Sequence, residues 1–457
     1  MSITAGTLII LAIFSYSLLG RKISVISART IVFMALTSLG FTGTFLSTEL
    51  ITLSHSDAAH FLGFIILTGV IIKKRFISKK FLVIYSLFLF AVLTGVLMII
   101  YPGATPVKLP GFGFSLDRLF TGKASPTEVQ LSQDHGLRIL RILIVFPFLA
   151  IIACKIPSRI ETEKLISMAA IFFCIILSLE LLLKTLGYFN IFDSIFFMFT
   201  GEPALSFQRA GLPVLQGLTS EPSHVAYALI LPMITLAYTG RLPYVFYILI
   251  ILMLVSGSLR TIAFSIAFIF LSLYYNFKLS ENGLLTKKTI PAYLLFIIMG
   301  IFFLIFIIPS EYIEYSIQRF GSVFNPQESI GSTSIRLHTW GYAIEGLISR
   351  PLFGVGLGSI SVFSGLLGSI VSIGAIGFSL YLILVKTVFS AKIVSVPFFV
   401  FMILMLFSWN VHVLYDVGIY TVFLLLGYGA NSPSKAAHLG KDISKNFTRP
   451  LNSDYKN

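Results

Sequence analysis

Apolar runs long enough to cross a bilayer as a helix recur along the whole chain. About 20 apolar residues in a helix match the thickness of the hydrocarbon core, and Phe81–Tyr101 is one such run. Only 11% of the 457 residues are charged, which is less than half of the roughly 25% in a typical soluble domain. A membrane β-barrel would instead show alternating segments of roughly 10 residues. The sequence therefore predicts an all-α, polytopic helical integral membrane protein.

We predict about 12–14 transmembrane helices in one transmembrane domain over residues 1–428, followed by a polar cytoplasmic tail over residues 429–457. Thr4–Gly20 follows no basic segment and is interpreted as the first span, not as a cleaved leader. The predicted spans lie near residues 3–20, 29–47, 57–73, 81–101, 139–154, 165–187, 223–239, 243–257, 260–276, 289–309, 360–385, 394–408 and 410–428.

The placement of the basic residues predicts how the helices are oriented. With alternating loops, one side holds about two-thirds of the 33 Lys and Arg residues but only about a quarter of the 19 acidic residues, which marks it as cytoplasmic. This bias explains the net charge of +14 without a nucleic-acid partner. The opposite side carries three long loops, at about 102–138, 188–222 and 310–359. Because function concentrates in elaborated loops, we expect the active face to be external.

Three arginines lie at the outer membrane boundary. Arg209 falls in the second long loop, Arg260 opens a span, and Arg336 begins a segment of the third loop. A guanidinium is always charged, and its fork fits phosphate oxygens, so three converging arginines would suit a lipid-linked diphosphate. The alternative is that they reach lipid headgroups, which fits Arg260 less well because of its apolar surroundings.

A second candidate is the segment Gly217-Leu-Thr-Ser-Glu-Pro-Ser-His, which leads directly into a span. Pro222 suits the first turn of a helix, and hydroxyl residues precede it as natural caps. Glu221 and His224 then lie near a helix N-terminus, which favours anions. Glu221 is a candidate base for deprotonating a sugar hydroxyl. The alternatives are an acid that only stabilises the helix start and, for His224, a packing residue.

The third candidate is an amphipathic helix predicted over residues 334–350. Apolar residues recur there at steps of three and four, and Trp340 is expected to anchor the helix at the outer surface. His338 is an alternative base, although an ordinary surface histidine explains it equally simply. The glycines at 354, 356 and 358 predict a tight turn, because a dinucleotide fingerprint would need a preceding strand.

We expect no cofactor and no metal. The histidines are scattered, and the outer loops contain no pair of aspartates to bind a divalent ion for a nucleotide-sugar. Two cysteines, Cys154 and Cys174, are too few for a disulfide framework or a metal cluster. The sequence also has no phosphate-binding loop for ATP. Glu180 and Asp416 are isolated and do not form the series that an ion pathway needs.

Three segments, in this order, resemble the O-antigen polymerase and ligase superfamily, which comprises Wzy-type polymerases and lipid A-core ligases. Together they cover residues from about 200 to 360, and the hydropathy profile is similar over nearly the whole chain. The segments are Arg209-Ala-Gly followed by Thr219-Ser-Glu-Pro-Ser-His-Val-Ala, then Ser258-Leu-Arg-Thr, then Ser334-Ile-Arg running through Trp340 into Pro351-Leu-Phe-Gly-Val-Gly-Leu-Gly.

The resemblance implies a GT-C-like bundle that carries out metal-independent, inverting glycosyl transfer at the periplasmic face of the bacterial inner membrane. The implied donor is a glycan on undecaprenyl diphosphate, and the implied partners are the bilayer, a chain-length regulator and a flippase. Arg209, Arg260 and Arg336 match the outer-face arginines of the family, and Glu221 matches an acid of the polymerases.

The resemblance favours a polymerase over a ligase. Ligases resemble one another in a histidine-bearing motif of the late loop, where this chain offers only His338, beside Arg336. An O-antigen ligase, a lipid-linked-oligosaccharide transporter and a structural partner of an envelope assembly remain alternatives.

Overall fold

The structure is a computed structural model, and it describes most of the bundle. The described residues are 4–40, 43–47, 52–74, 77–101, 108–109, 127–201, 208–209, 212–219, 222–256, 258–281, 314, 332–359, 362, 364–389, 396–408 and 413–430. The predicted span at 289–309 and nearly all of the predicted tail at 429–457 lie outside them.

Fourteen α-helices make up the described part of the chain. They are α1 (Ala5–Leu18), α2 (Ile23–Gly40), α3 (His55–Lys74), α4 (Lys79–Ile100), α5 (Gln133–Ala153), α6 (Arg159–Thr185), α7 (Phe189–Thr200), α8 (Val225–Thr239), α9 (Pro243–Val255), α10 (Leu259–Glu281), α11 (Ser332–Ser349), α12 (Gly365–Phe389), α13 (Val396–Ser408) and α14 (Val417–Ala430).

Short antiparallel strand pairs occupy three of the connections between helices. They are β1 (Thr44–Ser47) with β2 (Thr52–Ser54), β3 (Lys108–Leu109) with β4 (Thr127–Glu128), and β5 (Gln208–Arg209) with β6 (Leu212–Pro213). None of these strands is long enough to contribute a layer of its own. The predicted all-α fold class is therefore confirmed.

Apolar side chains cover the outside of the bundle. Five helices, α3, α4, α5, α6 and α12, are long and apolar enough to cross a bilayer, and seven further apolar helices are shorter. Large exposed apolar side chains occur on several helices, among them Leu8, Phe61, Phe90, Ile175 and Phe270. Such a surface is stable against lipid and unstable against water. The chain is a multi-pass membrane protein.

Most predicted spans coincide with a helix to within a few residues, and three differences are informative. The span predicted at 29–47 is α2, which ends earlier because residues 44–47 pair with β2. The span predicted at 139–154 is α5, which begins at Gln133, so the first outer loop is shorter than expected. The second outer loop contains α7, a helix that was not predicted from the sequence.

The side opposite the basic loops is called the outer side below, and the helix α8 runs from it through the centre of the bundle. The side chains of α8 from Val225 to Tyr238 are all buried, and the helix packs against α2, α6, α10 and α14. A one-turn 3₁₀ helix, Pro222–His224, leads into α8. Gly240 ends α8 in the left-handed conformation, with φ 62°. The turn that precedes α8 also contacts α10.

Ion pairing ties the inner ends of the helices together. The Nε of Arg29 donates to Oε1 of Glu161 over 2.8 Å, and its guanidinium carbon lies 4.0 Å from the ring centroid of Tyr16. Ser158 caps α6 by accepting from the amide of Glu161. These contacts join α1, α2 and α6 at the boundary that the positive-inside rule assigns to the cytoplasm.

The glycine-rich segment after α11 is buried inside the bundle. Gly354, Gly356 and Gly358 have φ of 73°, 98° and 105°, a region that suits glycine because a Cβ is strained there. The backbone therefore bends tightly, as predicted from the glycines.

This segment also compensates for a break in α12. At Gly374 the φ is 66° and the ψ is −175°, so α12 consists of two helical pieces. The amides of residues 355–356 donate to the carbonyls of 371–372 over 3.0 and 3.1 Å, and the amides of 375–376 donate to the carbonyls of 351–352 over 2.8 and 3.0 Å. The polar backbone groups released by the break are thus paired within the protein, as a membrane interior requires.

Gly354→Val is expected to destabilise the protein by about 2–4 kcal/mol, since it adds left-handed strain and steric overlap. A Cβ at this position would collide with the carbonyl oxygen of Val371 and would lie 2.6 Å from the amide nitrogen of Gly374. Thermal unfolding in detergent measures the change. Gly136→Ala is the control, because a Cβ there meets no atom within 4 Å. Equal melting temperatures for both variants would contradict the described packing.

Candidate functional site

Two residues singled out from the sequence come together at the outer ends of α8 and α10. Arg260, in the first turn of α10, is only 6% exposed, and its guanidinium carbon lies 4.6 Å from the ring centroid of Tyr227. The ring of His224 stacks with that of Tyr227, with centroids 5.7 Å apart and an interplanar angle of 27°. His224, Tyr227 and Arg260 form what we call the arginine cluster.

Hydroxyl side chains organise the turn that leads to Arg260. Ser256, Ser258 and Thr261 are buried, and the Oγ1 of Thr261 donates to the carbonyl of Ser258 over 2.7 Å. The Oγ of Ser256 donates to the Oγ1 of Thr261 over 2.8 Å. The polar groups at the start of α10 are therefore engaged locally, and the position of Arg260 is fixed by packed neighbours.

The chemistry of the arginine cluster is suited to an anion. A guanidinium keeps its charge and its fork of N–H donors when buried, and the ring of Tyr227 contributes to stabilising that charge. The cluster also adjoins the Pro222–His224 turn, which contacts α10. A phosphate held there would meet a positive side chain in surroundings that screen charge less than water does.

A second feature, not predicted from the sequence, is an outer cavity of about 1020 Å³ lined by α1, α2, α3 and α5 together with Tyr415 and Asp416. Its polar wall includes Asp57 and Arg141, whose carboxylate and guanidinium are 3.3 Å apart and roughly half exposed. The guanidinium carbon of Arg141 lies 5.7 Å from the ring centroid of Tyr415. Asp416 accepts from the amide of Gly418 over 2.8 Å and so caps α14.

The other wall of this outer cavity is apolar and continuous with the lipid-facing surface. Leu11, Phe61, Leu137 and Leu140 line it, and each of them is also an exposed large apolar residue of the bundle. A ligand in the cavity would therefore meet charged groups at one wall and a hydrocarbon-like surface at the other. This combination suits an amphiphile.

Two arginines in the sequence indicate a functional position at this cavity. Arg138 and Arg141 lie within or next to an apolar span, three residues apart and so on one face of α5. The guanidinium carbon of Arg138 also lies near Tyr415, 5.4 Å from its ring centroid. Charged residues inside a span mark functional positions more often than chance would predict.

The remaining predicted site residues are located by their backbone alone or fall outside the description. The backbone of Arg209 lies in β5 and the backbones of Arg336 and His338 lie in α11, while Glu221 lies outside the described residues. The helix predicted over residues 334–350 is confirmed as α11. Trp340 is half-buried and packs on a small apolar cluster, so it does more than anchor the helix at the interface.

No protein-family model and no curated protein sequence matches this chain. Within the described ranges, no three His, Cys, Asp or Glu side chains are grouped so that they could hold a metal ion. The residues that bear on function are therefore those of the arginine cluster and the outer cavity.

Ser56→Cys, in a background where Cys154 and Cys174 are replaced by serine, is expected to react with a membrane-impermeant maleimide added from outside. Ser56 is half-buried and lines the outer cavity, so the thiol is within reach of solvent. Ser17→Cys is the control, because Ser17 is fully buried near the inner end of α1. Labelling of Ser56→Cys only after permeabilisation would reverse the assigned orientation.

Proposed function

We propose that the protein polymerises lipid-linked oligosaccharide repeat units into a surface polysaccharide, either O-antigen or a similar polymer. The reaction takes place at the outer, periplasmic face of the bacterial inner membrane. The observation that carries the proposal is the buried guanidinium of Arg260, next to the turn that contains His224. The three-segment resemblance to Wzy-type polymerases implies undecaprenyl diphosphate as the lipid carrier.

Arg260 suits the leaving group of such a transfer. When the bond between the anomeric carbon and the diphosphate breaks, negative charge develops on the phosphate oxygens. A fixed guanidinium in a water-poor site stabilises that charge more strongly than water does, and it is already held in place by its contact with Tyr227. Arg209 and Arg336 are proposed as additional ligands of the same diphosphate.

The chemical step needs one base and no cofactor. The acceptor hydroxyl attacks the anomeric carbon of the donor with inversion, a new C–O bond forms, and the bond to the lipid diphosphate breaks. The hydroxyl proton passes to the base, and the electron pair of the broken bond leaves with the diphosphate. Glu221, three residues before His224, is the first candidate base, with His224 and His338 as alternatives.

The lining of the outer cavity is suited to a substrate that remains anchored in the membrane. A polyprenyl chain is apolar along its length and charged only at its diphosphate. The lipid-facing residues Leu137 and Leu140 and the charged residues Asp57 and Arg141 provide both kinds of surface in one cavity. This arrangement favours lipid-linked glycans over soluble nucleotide-sugars.

A transporter of the same glycolipid is the principal alternative from another class. It would need polar groups along a path through the middle of the membrane. Among the described residues, Asp57 and Arg260 lie in the first turns of α3 and α10, and Arg141 lies about two turns into α5, in its outer half. Their position favours an enzyme that works at the outer surface.

Deleting the gene is expected to leave lipid A-core capped with a single repeat unit, and Arg260→Ala should restore less than about 1% of the polymer that wild type restores. A gel of surface glycolipid measures the ladder, with protein levels checked by immunoblot. Arg241→Ala, which removes an exposed arginine from the inner side, is the matched control and should restore the full ladder.

The other outcomes discriminate between the alternatives. Polymer that accumulates on undecaprenyl diphosphate and never reaches lipid A-core would identify a ligase. Loss of all repeat units from the outer face would indicate a transporter. A full ladder from Arg260→Ala at normal protein level would remove Arg260 from the reaction.

A further inference from the structure

Glu180 and Lys184 form an ion pair that is sealed inside the protein. They lie one turn apart near the outer end of α6, their Oε1 and Nζ atoms are 2.7 Å apart, and their side chains are 0% and 1% exposed. A buried pair of charges gains little net free energy, because desolvation offsets most of the attraction between them. A helix in lipid would be at least as stable with two apolar residues, so the pair requires another explanation.

Both members of the pair also bind the same segment of backbone. The Nζ of Lys184 donates to the carbonyl of Val214 over 2.8 Å. The Glu180 carboxylate accepts from the amide of Gln216 over 3.0 and 3.1 Å and from the amide of Gly217 over 2.7 Å. Residues 214–217 are therefore bound to α6 by charge-assisted hydrogen bonds: the ammonium group binds a carbonyl oxygen, and the carboxylate binds backbone amides.

The conformation of Gly217 allows these hydrogen bonds to form. Its φ is 60°, and a Cβ at this position would lie 3.2 Å from the side chain of Leu177 on α6. Glycine thus lets the chain approach the helix closely enough for its amide to reach Glu180.

The helix α7 also packs against the segment. Leu218 is buried in a cluster with Phe192 and Phe196 of α7, and the Nζ of Lys184 lies 5.0 Å from the ring centroid of Phe192. The segment 214–218 is therefore in contact with both α6 and α7.

The held segment leads directly into the turn of the proposed site. The Oγ1 of Thr219 donates to the carbonyl of Gln216 over 2.7 Å and closes a turn, and only residues 220 and 221 separate Thr219 from Pro222. A shift of residues 214–217 would displace the Pro222–His224 turn.

We propose that Glu180 and Lys184 are positioning residues: through their hydrogen bonds to residues 214–217, they hold the Pro222–His224 turn in register with Arg260. Neither residue touches substrate. The effect on turnover rests on the proposed function, whereas the effect on the position of the segment does not.

Two double variants that differ at one side chain test this role. Glu180→Gln/Lys184→Met removes both charges but leaves an amide oxygen that can accept from Gly217. Glu180→Leu/Lys184→Met removes the charges and the acceptor together. If the pair only had to be electrically neutral, the two variants would behave alike.

The first measurement is the rate at which a Leu218→Cys thiol reacts with a membrane-impermeant maleimide, with Cys154 and Cys174 replaced by serine. Leu218 is 1% exposed, so the parent should react slowly. We expect the leucine variant to react at least about tenfold faster and the glutamine variant within about threefold of the parent, since local opening governs access. Equal rates in the two variants would overturn the inference. So would loss of folded protein in the leucine variant alone, because the bonds would then serve the whole bundle.

The second measurement is glycan transfer in proteoliposomes with a lipid-diphosphate-linked repeat unit. The leucine variant should lose kcat by at least about tenfold with little change in KM for the donor, and the glutamine variant should recover most of it. Equal kcat values in the two variants would contradict the positioning role in catalysis. If the wild type transfers no glycan, the proposed function fails, and the thiol reactivity still decides whether the pair holds the segment.

Discussion

The fold depends on one constraint: in the hydrocarbon core, every backbone polar group must find its partner within the protein. The break in α12 at Gly374 shows how the constraint is met, because the buried glycine segment supplies the missing donors and acceptors. The segment 214–217 is a second case. It is irregular backbone that lies inside the bundle, and charged side chains of α6 supply its partners.

Charged side chains face the same constraint, because a charge removed from water also needs a partner within the protein. Glu180 and Lys184 are paired with each other and with backbone, and the Asp57–Arg141 pair lines a cavity where both side chains reach solvent. Arg260 lies against an aromatic ring at the outer start of α10. Each charged group is thus stabilised by its local surroundings. The charged residues in the spans therefore lie where the backbone is irregular, where a cavity opens, or at the arginine cluster.

The sequence predicted the fold well because lipid imposes a simple rule on span length and polarity. The helices α3, α4 and α9 begin within two residues of the predicted spans. The prediction from sequence was incomplete where contacts between distant segments determine the structure. The helix α7 is too short to be recognised as a span, and its cluster with Leu218 depends on a segment distant in the chain. The sequence singled out Arg260 and His224 but not Tyr227, which joins them, because only the packing of α8 against α10 brings the ring between these two residues.

The two arginine sites differ in a way that bears on how a lipid-linked substrate would use them. Arg141 is half exposed and shares its charge with Asp57, so it can exchange partners at little cost. Arg260 is buried beside Tyr227, so an anion next to it would interact with its charge in surroundings that screen less than water does. A membrane-anchored diphosphate would therefore be attracted weakly at the outer cavity and bound more strongly at the arginine cluster. On the proposed function, this order of strengths would favour recognition at the cavity and bond breaking at Arg260.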